Sequence, residues 1–503
     1  MSRASGIFLH TTSLPSRFGI GDLGEEAFRW IDLLAGSHQR IWQVCPLGPT
    51  GYGDSPYQCL CSFAGNPLLI APSKLSSLNL LTEKELNEYP RLPDQIVDYG
   101  RVIVEKEKLF RKAYGRFAES KEFTEFCERE RFWLDDFALY AVIKARHQGR
   151  PWVEWKSPVK LRYSAALEAL RVSATTAINY QKFLQYMFFM QWAELREYAK
   201  SMYVGIMGDM PYYVAGDSSD TWGSPHLFEL DESGNLLRLA GVPPDYFCKT
   251  GQLWGNPLYR WDVMRRDGYA WWIRRIRKSL ELVDFLRLDH FRGFESYWAV
   301  PAGSVDAVSG TWEQGPGKEF FAAVGNDVGT SRLVAEDLGH ITARVKELLL
   351  RTGLPGMKVL QFAFDGDPDN AYLPCNVDRN SIMYTGTHDN DTSCGWFASL
   401  SRKERACVAR YLGCTDETFL TRFLRLAFMA PSRLCITPMQ DLLALPSACR
   451  LNTPGRESGN WRWRMLPEQM TGQSFTLARE FTEIYGRKGR DEFSFVYGEA
   501  GQG

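Results

Sequence analysis

The sequence predicts an α/β protein built as a (β/α)8 TIM barrel. Eight short, continuously apolar runs recur along the 503 residues, and several end in a carboxylate or a glutamine. Stretches with helical periodicity lie between many of them. The runs lack the polar alternation of a half-exposed antiparallel sheet, which points to parallel strands covered on both faces. On such a barrel, polar residues at the C-terminal ends of strands gather over one rim, where the chemistry lies.

In chain order the predicted strands are residues 6–10, 40–47, 203–211, 284–291, 332–339, 358–363, 381–389 and 434–441. Asp209, Asp289, Glu336, Asp389 and Gln440 stand at or near their ends. A helical pattern over 25–34 follows the first strand, and one over 342–350 follows the fifth. Ser401-x-x-Glu404 is a capping box opening a helix over 402–411, and 418–428 precedes the last strand. Two gaps exceed ordinary βα loops, and we read both as rim insertions in one unit spanning 1–503. The segment 50–202, between strands two and three, carries a Thr82-x-x-Glu85 capping box and apolar periodicity over 122–147 and 175–200. It is expected to form a largely helical subdomain. The segment 212–283, between strands three and four, carries a Trp- and Gly-rich stretch over 221–261 and a helix near 271–282.

Composition narrows the function. Lys and Arg number 59 against 60 Asp and Glu, for a net charge of −1, so no long-range field favours nucleic acid or an anionic membrane. No run approaches a spanning helix, and the start shows no signal-peptide core. Eleven scattered cysteines suit reduced thiols in a cytoplasm. Aromatic residues reach 14%. Most should pack the core, but Tyr52, Tyr57, Trp222, Tyr246, Phe247 and Trp254 fall in loops where sugars could stack. Gly19-Ile-Gly-Asp-Leu-Gly24 matches a dinucleotide fingerprint in letters only, because Pro15 and a polar loop part it from the first strand. Asn390-Asp-Thr392 fits a glycosylation sequon that a cytoplasmic chain would not use, and Gly315-Pro-Gly-Lys318 lacks P-loop spacing. No metal-ligand pattern and no cofactor motif is evident, so neither is expected.

Three carboxylates share a local setting. Asp289 lies in FLRLDHFR (285–292), Glu336 in LVAED (333–337) and Asp389 in MYTGTHDN (383–390), each after an apolar run. Paired carboxylates are what glycoside cleavage requires: one attacks the anomeric carbon and a protonated one serves the leaving oxygen. Arg287, two positions before Asp289, should point to the same side of its strand and keep that carboxylate ionised.

These motifs resemble the signature regions of the α-amylase clan, and more closely its amylomaltase branch, the 4-α-glucanotransferases. PLGPTGYGDSPYQ (46–58), GDMP (208–211), GVPPDYF (241–247), GQLWGNP (251–257), RLNTPG (450–455) and GNW (459–461) carry the closer likeness, which runs from about residue 5 to the end. One departure is Arg456-Glu-Ser458, where the family usually has a Thr-rich turn. The resemblance implies Asp289 as nucleophile, Glu336 as acid/base and Asp389 as transition-state stabiliser. It implies substrate contacts from Tyr57, Ser55, Asp209, Asp245, Trp254, Asn256, Arg287, His290, His388 and Asn460. Only about 60 residues follow the last strand, so no C-terminal β-sandwich is expected. Expected partners are α-1,4-glucans and a glucose acceptor, with the chain a monomer or homodimer in a cytoplasm or plastid stroma. The alternatives are an α-glucan hydrolase of the same clan and a non-catalytic glucan-binding protein.

Overall fold

The computed structural model describes residues 3–244 and 249–489. Twelve strands occur there: β1 (Ala4–Phe8), β2 (Ile41–Gln43), β3 (Gly205–Met210), β4 (Arg238–Val242), β5 (Gln252–Pro257), β6 (Phe285–Leu288), β7 (Ser296–Pro301), β8 (Thr311–Gln314), β9 (Leu333–Ala335), β10 (Gly356–Val359), β11 (Ser381–Tyr384) and β12 (Leu434–Pro438). Eight of them form one parallel sheet in the order β10-β11-β12-β1-β2-β3-β6-β9. No ladder joins β9 to β10, but the Ala335 N–H donates to Pro355 O at 3.0 Å and closes the seam. The fold is the expected (β/α)8 barrel.

All eight predicted strands are present, but most are shorter than their apolar runs. The residues beyond Gln43, Leu288 and Tyr384 leave the ladder and turn over the rim. The first and sixth are displaced, starting at Ala4 rather than at 6 and at Gly356 rather than at 358.

Strand parity explains which residues reach the interior. Phe8, Ile41, Met207, Phe285, Val334, Met357, Ile382, Tyr384 and Ile436 pack together inside the barrel. Ile7, Trp42, Ile206, Leu286, Leu288, Leu333 and Met383 belong to the outer core. Successive side chains alternate faces, so Asp209, Arg287, Asp289 and Glu336 follow their inward apolar neighbours at two-residue steps. Gly6 faces inward where space runs out: a Cβ there would lie 2.5 Å from Ile41 O. Gly6→Ala should lower stability by about 1–3 kcal/mol, read as a lower denaturant midpoint at unchanged slope.

Helices flank the strands as predicted. The helix Glu25–Gly36 follows β1, Ala343–Thr352 is capped by Thr342, and Phe419–Met429 leads to β12. Both capping boxes form, at Thr82/Glu85 and Ser401/Glu404. The periodicity over 122–147 divides into Lys121–Arg129 and Arg131–Arg146. The break falls at Glu130, a buried carboxylate that accepts Trp133 Nε1 at 2.7 Å and pairs with Lys278 at 2.7 Å. The helix Thr175–Ser201 leads into β3, and Trp192 Nε1 donates to Leu282 O at the end of the helix Ala270–Leu282.

One feature was not expected. Strands β4 and β5 pair with β7 and β8, which come from the connection after β6, into a four-stranded antiparallel sheet. Trp222 also departs from its expected role. It is fully buried against Tyr140 and Trp155, and its Nε1 donates to Val159 O at 3.2 Å. Its ring is core and offers no face to a sugar. In the Gly19–Gly24 turn the Gly24 N–H is already taken by the Asp22 carboxylate at 3.0 Å, where a phosphate would need it free. Among the described residues, no helix is long and apolar enough to cross a membrane.

Candidate active site

The inward residues at the ends of β3, β6 and β9 meet around one buried cation. Arg287 donates through one nitrogen to Asp209 Oδ1 at 2.8 Å, Asp209 Oδ2 at 2.6 Å and Asp289 Oδ1 at 2.9 Å. Its Nε points to Met357 Sδ at 3.3 Å. Burial opposes the charge, but Asp209 and Asp289 outweigh it and hold the guanidinium well above its ordinary range. Asp209 is buried, and desolvation pushes its carboxyl up against the pull of Arg287. Asp289 keeps 27% of its side chain exposed, at the edge of the cleft.

Glu336 is held by backbone. Its Oε2 accepts the His290 N–H at 2.7 Å and its Oε1 accepts the Leu338 N–H at 2.9 Å. Desolvation raises this carboxyl to about 8, Arg287 opposing and Asp289 adding to the rise. Burial thus favours the neutral acid form, against two backbone N–H bonds that favour the carboxylate. His290 adopts a left-handed conformation, φ 48° and ψ 49°, which a non-glycine residue rarely takes. That conformation aims its N–H at Glu336.

A third group comes from the loop after β11. His388 is buried, and its Nε2 lies 3.4 Å from Asp389 Oδ1. The Asn452 amide donates to the same oxygen at 2.5 Å, and Arg450 donates to the Asp389 carbonyl. Partial desolvation opposes ionisation of Asp389, whose side chain stays 48% exposed, yet His388 and Asn452 hold it at about 2. Desolvation alone would depress His388; Asp389 raises it above its ordinary value. Tyr57 stacks on His388 with ring centroids 4.9 Å apart. Its hydroxyl donates to Asp209 Oδ2 at 2.7 Å and lies 3.4 Å from His388 Nδ1, so it ties the two halves of the site together. Trp461 lies 5.7 Å from both rings.

The other predicted residues divide. Ser55 Oγ accepts the Tyr57 N–H at 3.2 Å and shapes the turn that presents that ring. Trp254 sits edge-on to His290 at 4.9 Å. Burial holds His290 at about 3, a neutral imidazole. Asn256 donates to Val214 O at 2.8 Å, bracing the β5 loop. Asn460 spends its polar atoms on Thr453 and Arg456 within its own loop. Asp245, with Tyr246 and Phe247, lies outside the described residues. Asn452 and Arg450 were not singled out as site residues, although both belong to the RLNTPG segment. Nothing local marked them, since their partner lies about 60 positions upstream. Among the described residues, no group of three or more His, Cys, Asp or Glu side chains could hold a metal ion.

Residues 9–470 match the family described as 4-alpha-glucanotransferase. The chain belongs to that family. The 4-alpha-glucanotransferase of Synechocystis sp. is 46% identical over 97% of this chain and 98% of its own length. That of Thermus thermophilus is 44% identical over 97% and 99%. A chloroplastic/amyloplastic 4-alpha-glucanotransferase of Arabidopsis thaliana is 41% identical over 96% of this chain and 86% of its own. In structure, the amylomaltase from Streptococcus agalactiae in complex with acarbose superposes with a TM-score of 0.94 at 37% identity, covering 97% of this chain and all of that one. The chain is thus a glucanotransferase acting on α-glucans, and the raised Glu336 carboxyl beside the Arg287–Asp289 pair suits acid-assisted cleavage of a glycosidic bond.

Proposed function

We propose that this glucanotransferase works by a retaining double displacement. The observation that carries the reading is a buried carboxyl, Glu336, raised by desolvation and accepting the backbone N–H of the residue that follows Asp289. Asp289 Oδ1 is engaged by Arg287, and Oδ2 is the oxygen that attacks the anomeric carbon of a donor α-1,4-glucan. Glu336 gives its proton to the leaving 4-oxygen, and a covalent β-glucosyl-enzyme forms. Glu336, now a carboxylate, takes the proton of an acceptor 4-OH as that oxygen displaces Asp289 and restores the α-linkage. Asp389 stays ionised and stabilises the oxocarbenium-like transition state. His388, Asp209 and Tyr57 line the subsite of the cleaved sugar, with Trp254 and His290 beside it.

The acceptor is glucose or another glucan, and transfer prevails where sugar displaces water from the acceptor side. Maltotriose supplied alone tests this. Disproportionation yields both glucose and chains longer than three units, whereas a hydrolase yields only shorter products. Ten described cysteines are all unpaired, which supports a reducing compartment, the cytoplasm or a plastid stroma.

Tyr57→Phe keeps the ring on His388 but removes the hydroxyl that bridges to Asp209. We expect kcat/KM to fall about 10- to 100-fold, with the melting temperature little changed. Steady-state kinetics on maltotriose check this.

A further inference from the structure

Beyond the barrel mouth, the β7–β8 hairpin sets two tryptophans side by side. Trp298 and Trp312 are register partners, with ring centroids 5.1 Å apart, edge to face. Trp298 is half-buried, and its Nε1 donates to Ala307 O at 2.8 Å. Trp312 stands on the edge strand, 41% exposed, between exposed Thr311 and Gln314. The Arg292 guanidinium covers one side of its ring, 3.9 Å from the centroid.

The support behind this ring is built rather than incidental. Arg292 is itself buried. It donates to His340 O at 2.6 Å and Ser296 Oγ at 3.3 Å, while its Nε has no partner. Arg292 lies three residues after Asp289. His340 lies two residues after Leu338, whose N–H holds Glu336. The ring is therefore anchored to both strand ends that carry the reacting carboxylates.

We propose that Trp312, backed by Arg292 and Trp298, is a sugar platform for the part of an α-glucan that extends beyond the catalytic subsites. The inference rests on the α-glucan reading above. An indole fixed by a cation on one face and still 41% exposed presents a flat apolar surface to the C–H face of a glucose ring. Gln314, exposed and two positions on along the same face of the strand, offers a hydrogen-bond partner to sugar hydroxyls beside it. A net charge of −1 gives no field for a polyanion, and the site next door already takes neutral glucan. A platform on the same body as the site adds affinity only for chains long enough to reach both. It therefore selects for length.

Native gels with and without amylose test this directly, in an Asp289→Ala background so that no turnover alters the polymer. Trp312→Ala should weaken retardation by amylose about fivefold in apparent Kd, while Trp312→Phe retains most of it. Trp312→Gln repeats the loss should alanine disturb the hairpin. In the active enzyme, kcat/KM on amylose should fall about fivefold relative to kcat/KM on maltotriose, through KM. Equal retardation of the parent and Trp312→Ala overturns the platform, as does an equal kinetic loss on both donors. Retardation that depends on Trp312, together with no transfer from any donor by the enzyme that retains Asp289, would instead leave the platform standing and overturn the transferase mechanism.

Discussion

Asp289→Ala is expected to abolish transfer from maltotriose, with kcat down at least about 10⁴-fold. No other carboxylate can replace it. Asp209 is buried and shares its oxygens between Arg287 and Tyr57, and Asp389 belongs to the other half of the site. The fold should survive the change, because Arg287 keeps Asp209 as its buried counter-ion. A melting temperature close to the wild type, together with lost activity, would separate chemistry from folding. Near-normal disproportionation by the variant would sink the assignment of the nucleophile.

Glu336→Gln removes the proposed proton donor and should lower kcat on maltotriose about 10³-fold. A maltosyl fluoride donor provides the discriminating check, since fluoride leaves without a proton. Its first-turnover release should remain fast in the variant, and equal slowing on both donors would argue against the acid role. The wild-type profile carries the same signature. With Glu336 at about 8, kcat/KM should fall on the alkaline side, tenfold per pH unit once that value is passed. Stability follows the same group. Its folded value lies above the ordinary 4.5, so the folded state binds this proton more tightly than the unfolded chain. Its contribution is complete below about pH 4.5 and is lost as pH rises to about 8. The amide that replaces the carboxyl in Glu336→Gln stays neutral throughout. The variant should therefore gain on the wild type in melting temperature across that window, and the gap should level off above it.

Much of this was legible in the sequence because strand parity is local information. Arg287 and Asp289 sit two apart at the end of one strand, so their common face could be read directly from the letters. The same holds for Val334 and Glu336. What could not be read is what long-range pairing decides. Asn452 reaches Asp389 only because the 450–461 loop folds over the β11 end. Trp222 looked like a surface ring in a glycine-rich loop, yet the 131–146 helix supplies Tyr140 to bury it. The antiparallel sheet escaped because its strands come from two separate connections, and each alone is too short to signal a partner.

The left-handed His290 has a consequence for stereochemistry. Whether sugar configuration is kept or inverted depends on how far apart the two acting carboxyls stand. Here one belongs to residue 289, and the other is hydrogen-bonded to the very next peptide N–H. The main chain at 289–290 therefore fixes where Glu336 stands, while Arg287 holds the Asp289 carboxyl. Drift at residue 290 would disturb the outcome of the reaction before it disturbed the residues that perform it.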